Sequence, residues 1–218
     1  MPTPGFPPST LDSEGTPIWI TELADDDPNH CVHVARGIEP AQALEALGVK
    51  PELIQSCELP DKRPDRFSLP HSVLGNDPGA CATLLAGRVG EWTFVYDDGG
   101  FTCDNEATEA LSADGRTAAT STYTINADAS LQYAVDGTTV EWVTVDDLHL
   151  DEDLPHMPAE LRAAFEAAGV VEWEDEDMEM EPGEADYHVT MRAVCALAGL
   201  TLTLNDLRQI PLLVAPFA

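Results

Sequence analysis

The chain has 218 residues, 44% of them apolar, the size of one domain or of one domain with a small appendage, and enough to bury a core without a metal or disulfide staple. Forty Asp and Glu against ten Lys and Arg give a formal net charge of −30, which argues against direct contact with nucleic-acid phosphates or anionic lipid, because like charge repels both. Five separated cysteines with no CxxC pair point to a reducing, cytoplasmic setting, and no apolar run approaches the roughly 20 residues needed to cross a bilayer.

Residues 1–17 are rich in proline and carry neither a basic nor an apolar leader region, so a disordered arm is expected there, followed by a single domain over 18–218. Pro28 and Asn29 turn the chain into Cys31-Val32-His33-Val34-Ala35, whose alternation and β-branched residues predict a strand closed by Arg36-Gly37. Glu39-Pro40 then opens a helix with Ala43, Leu44 and Leu47 on one face and Gly48 as its stop. Lys50 to Asn76 holds both lysines and four prolines and reads as loop, with a short helix near Pro51 to Ser56.

From Leu84 the pattern becomes that of strands. In Trp92-Thr93-Phe94-Val95-Tyr96 the aromatics share one face, and Asp97-Asp98-Gly99-Gly100 supplies a turn. A short helix over Glu106 to Leu111 precedes Thr117 to Asn126, Leu131 to Val135 and Val140 to Val143, three alternating segments separated by Asp-containing turns. They predict an antiparallel β-meander. After Asp146 the period is helical: Pro158 opens a helix with Leu161, Ala164, Phe165 and Ala168 on one face and Gly169 at its end, and Tyr187 to Ala198 and Leu204 to Val214 read as two closing helices. Between Gly169 and Tyr187, Glu172 to Glu184 is almost wholly acidic and reads, with its flanks, as a solvated loop over 172–186. The expected fold class is α+β, an antiparallel meander sheet packed by an early helix and C-terminal helices.

Chemistry-bearing patterns are sparse. Asp175, Asp177 and Glu179 lack the glycine and the closing glutamate of an EF-hand loop, and the six histidines show no HxH, HExxH or HxxxH spacing, so no metal or other cofactor is expected. There is no GxSxG elbow, and Gly87, Gly90, Gly99 and Gly100 fit turns better than a phosphate cradle. Asp97 and Asp98 are consecutive, so in a strand they would point to opposite faces, and a turn is the simpler role for them. His33, between Val32 and Val34, reads as a structural histidine.

Taken in order, several of these segments resemble a bacterial family of domains of unknown function, the one numbered 6461. The similarity is carried by Val32 to Pro40 running on to Gly48, by Gly90-Glu91-Trp92-Thr93 with Asp98-Gly99, by Leu111-Ser112 with Tyr123 to Asn126, by Tyr133-Ala134-Val135-Asp136-Gly137, and by Phe165 to Gly169 with Ala193 to Thr203. It covers about residues 30–210. A glutamate is common in that family where this chain has Tyr96 or Asp97. The resemblance implies a compact α+β domain without an assigned activity, and it carries over no catalytic residue.

Charge and the missing catalytic patterns together lead to the expectation of a non-enzymatic cytoplasmic protein-binding domain, in one version an immunity- or antitoxin-like inhibitor of a basic partner. The candidate contact residues are Trp173, Glu174, Asp175, Glu176, Asp177 and Glu179 of the acidic segment. The competing expectation is a small-molecule-binding or enzymatic domain with a pocket on the sheet near Trp92, Tyr133 and Trp142.

Overall fold

The computed structural model describes residues 5–24, 29–62, 67–74, 81–126, 128–170 and 186–217. Pro17 leads into a short helix, α1 (Ile18–Leu23), before the first strand, β1 (His30–Arg36). Helix α2 (Pro40–Ala46) has its proline in the first turn, where no N–H is needed, and the Gln42 side chain reaches back to the Glu39 N–H. A 3₁₀ turn at Pro51–Leu53 leads to β2 (Gln55–Cys57), and α3 (Leu69–Leu74) follows. The hairpin of β3 (Ala82–Val89) and β4 (Trp92–Asp97) turns at Gly90, whose positive φ suits glycine. Helix α4 (Asn105–Ser112) is capped by Asp104, whose carboxylate accepts the Ala107 N–H.

The predicted meander is present as β5 (Thr117–Tyr123), β6 (Ala129–Val135) and β7 (Thr138–Thr144). Asp136 and Gly137 both have positive φ, as a tight two-residue hairpin turn demands. The remaining elements are α5 (Leu150–Asp153), α6 (Ala159–Ala168), α7 (Val189–Ala198), α8 (Leu204–Leu207) and β8 (Leu212–Phe217). Among the described residues no helix is long and apolar enough to cross a membrane.

The eight strands among the described residues form one antiparallel sheet in the order β2-β8-β3-β4-β1-β5-β6-β7. Its two faces divide the apolar residues by strand alternation. One face, with Val32, Val34, Leu85, Phe94, Tyr96, Leu131 and Val214, packs against Trp19 and Ile20 of α1, Leu161 and Phe165 of α6, and Val194 of α7. The other, with Ala35, Leu84, Ala86, Val95 and Ala118, packs against Leu44 of α2 and Leu111 of α4. The α+β architecture with an antiparallel sheet, an early helix and C-terminal helices is therefore present, with helices on both faces.

Three expectations change. The helix expected over Leu204 to Val214 stops at Leu207, because Pro211 has no N–H for a helical turn; the chain extends instead, and β8 inserts between β2 and β3. The proline-rich opening is packed from Gly5 onward: the Gly5 N–H donates to the Ala167 carbonyl at 2.9 Å, and Phe6, Thr10 and Thr16 are buried. Asp186, expected at the end of a solvated acidic loop, is buried and ion-paired with Arg192. That guanidinium also donates to the Ala168 and Gly169 carbonyls at the end of α6 and to Gly15 in the opening segment, so one buried cation closes a helix end and fastens the N-terminal segment.

Candidate functional site

Of the aromatics expected to line a pocket, Trp142 borders a cavity beside β7, while Trp92 and Tyr133 do not border it. Trp92 and Tyr133 lie on the α6 face of the sheet, and their surroundings are filled by a charged pair. The Arg36 guanidinium sits 5.1 Å over the Trp92 ring and donates to Glu160 at 2.5 Å. Tyr133 donates its hydroxyl to the same carboxylate at 3.2 Å. Burial first, and then the Glu160 charge, push the Tyr133 hydroxyl up to about 12, so it stays a hydrogen-bond donor. Trp142 pairs with Gln132 and stands on the α4 side of the sheet.

That side carries a buried polar seam. Asp97, fully buried at the end of β4, accepts at one oxygen from the Gly99 and Gly100 N–H groups, both at 3.0 Å, and at the other from the Thr102 N–H and hydroxyl, both at 2.7 Å. The Thr102 proton is thereby committed to the carboxylate, so Thr102 Oγ1 can only accept from His33 Nε2, 2.8 Å away. This fixes the histidine tautomer: Nδ1 is the acceptor and takes the Thr120 hydroxyl at 2.8 Å. The seam continues through Thr108 to Gln132, and from Gln132 through Thr139 to Glu109 of α4. Burial lowers the His33 pKa to about 3, so it is neutral throughout the physiological range. The Cys31 thiol lies 3.3 Å from the same ring, but its pKa is raised, by burial first and then by the Asp97 charge, which leaves it protonated and unreactive. The seam links β4, β1, β5, β6 and β7 across one face of the sheet.

On the α3 side, Asp98 faces away from Asp97, as its position next in sequence requires. Ser68, at the start of α3, donates to one of its oxygens, and the Thr83 N–H donates to the other at 2.6 Å. The Ser68 hydroxyl oxygen also accepts the His71 N–H at 3.1 Å, and the His71 ring contacts the Thr83 hydroxyl at 3.0 Å. Burial raises the Asp98 pKa to about 6, against the lowering effect of the Ser68 and Thr83 bonds. Ser68 is bonded to a carboxylate and not to an imidazole, so it lacks the pairing of an activated serine nucleophile.

At the end of the sheet the character changes. Among the described residues strand β7 is paired on one side, with β6, and it carries Val140 and Trp142, which are 50% and 46% exposed. Val140 is the extra residue of a β-bulge, where the register jumps between Tyr133 and Ala134. A cavity of about 460 Å³ lies between β7 and the segment that follows it, lined by Glu141, Trp142, Asp147, Asp153, His156 and Met157 among others.

The six candidate contact residues, Trp173, Glu174, Asp175, Glu176, Asp177 and Glu179, lie outside the described residues. Among the described residues no group of three His, Cys, Asp or Glu side chains is placed to hold a metal ion. The site features that patterns did not reveal are the seam of His33, Asp97 and Thr102 and the Asp98 cluster. The only signal for them is the Asp97-Asp98 pair at a strand end, where alternation sends one carboxylate to each face.

The model of a family described as a family of unknown function, DUF6461, matches residues 17–207, most of the chain. The chain belongs to that family. The DUF6461 match takes in every element from α1 to α8, including the polar seam, the Asp98 cluster and the β7 edge, while β8 lies beyond it. Neither the curated proteins nor the solved structures give a match.

Proposed function

We propose that the domain is a non-enzymatic binding partner of a basic protein, and within that reading an immunity- or antitoxin-like inhibitor whose acidic surface covers the groove of a basic toxin. The observation that supports it is the distribution of charge. From Thr117 to Leu161, which covers β5, β6, β7 and the first residues of α6, the chain has nine Asp and Glu and no Lys or Arg. A surface of one sign steers an oppositely charged partner and rejects acidic ones.

The test is a pull-down from source cells with the immobilised chain, washed at about 0.05 M and about 0.5 M salt. A basic protein retained at the lower concentration and released at the higher supports the reading. Retention indifferent to salt, or no basic protein at low salt, overturns it. The pocket reading near Trp92 has less to support it, since Arg36 and Glu160 occupy the space beside that ring.

A further inference from the structure

An edge strand presents a row of unpaired backbone N–H and C=O groups, and proteins usually blunt such edges with lysine, proline, short length or a bulge. The two edges of this sheet differ. Strand β2 has three residues and is flanked by Pro51 and Pro60. Strand β7 has seven residues and contains neither lysine nor proline. Its bulge at Val140 disturbs the first half and leaves Glu141–Thr144 in regular register with β6. Along that regular stretch, Trp142 is nearly half exposed, and the adjoining cavity adds the apolar side chain of Met157 to the carboxylates of Glu141, Asp147 and Asp153.

We propose that the outer edge of β7 accepts an extended basic segment of a partner protein as a ninth strand. This rests on the reading of a basic partner and says where and how that partner is held. Main-chain hydrogen bonds to Trp142 and Thr144, whose N–H and C=O groups face away from β6, supply the pairing; an apolar side chain of the incoming strand packs on Trp142, and its lysines or arginines meet Glu141, Asp147 and Asp153. Charge decides the occupant. A second copy of this chain paired edge to edge would set Glu141, Asp147 and Asp153, the acidic side chains beside β7, against their own duplicates, whereas a basic strand neutralises them.

The experiment uses the full chain and three blocked peptides: alternating lysine and valine, the same composition in two blocks, and the alternating peptide with N-methyl groups on alternate amides. Titration at low salt is followed by tryptophan fluorescence and by hydrogen exchange. The expected result is that the alternating peptide binds best, slows exchange at Glu141–Thr144, and loses about tenfold or more in affinity with Trp142→Ala, a change at an exposed side chain. Thr144→Pro is the second variant and should weaken the alternating peptide while leaving the block peptide unchanged. Equal binding of all three peptides without protection of β7 overturns the edge site and leaves the basic-partner reading standing. No binding by any peptide overturns both. A dimer in sedimentation with β7 protected before peptide is added overturns the choice of occupant.

Discussion

Asp98 and His33 give the fold opposite responses to acid. The folded pKa of Asp98, about 6, lies above its ordinary value of 3.8, so the folded state keeps a proton that the unfolded chain loses. Its contribution is full below pH 3.8 and is lost as pH rises to about 6, a fall of about 3 kcal/mol. His33 runs the other way: its folded pKa, about 3, lies below 6.5, so its contribution is full above pH 6.5 and is lost as pH falls toward 3, on the order of 5 kcal/mol in all. Urea unfolding of Asp98→Asn across this range should therefore show stability rising more steeply with pH between 4 and 6 than in the parent, because the opposing carboxyl is gone. An unchanged slope would mean that Asp98 titrates near its ordinary value. The opposite directions of Asp97 and Asp98 followed from strand alternation, although a turn was the simpler reading, and nothing in the neighbouring residues signalled that Asp97 is buried and Asp98 partly so. Their partners, Thr102 on one side and Ser68 and Thr83 on the other, come from a loop, a helix start and a separate strand.

At the level of elements, the strands legible in the sequence were those with alternation and a turn: β1, β4 and the β5–β6–β7 meander. Strand β8 was not, because Leu212-Leu213-Val214-Ala215 is a short apolar run without a period, and such a run fits a buried strand or a helix equally well. Helix α3 was hidden by Pro70 in its first turn, a position where proline is tolerated. The seat of β8 also depends on a missing side chain. A Cβ on Gly87 of β3 would stand 2.7 Å from the Phe94 ring and 2.8 Å from Leu212 at the start of β8. Gly87→Ala should thus force the ring and the strand apart, with an expected loss of about 1 to 3 kcal/mol of unfolding free energy, read from urea denaturation. Gly115→Ala is a poor control because its φ is positive; Ser130→Ala, on partly buried β6, is a milder comparison.

For the molecule as a whole, the charge of −30 was read from composition, but its arrangement was not. Some carboxylates, such as Asp97 and Asp186, are buried and fully engaged, while the segment after β7 holds Asp146, Asp147, Asp151 and Glu152 exposed. Self-repulsion among the exposed ones opposes compaction and is screened by salt. Raising sodium chloride from about 0.05 M to about 0.5 M should lift the thermal midpoint by about 3 °C or more, read by circular dichroism. A midpoint that falls with salt would show that ion pairs such as Arg36 with Glu160 outweigh the repulsion.

Strand β8 also constrains the order of events during synthesis. Among the described residues, β2 finds its strand partner only in β8, so Gln55 waits for Val214, some 160 residues later in the chain. A ribosome adding about 5 to 20 residues per second leaves that interval open for roughly ten seconds or more. During it, β3 has β4 on one side and an unpaired, largely apolar edge on the other, so the nascent chain is most exposed to misassociation before β8 emerges.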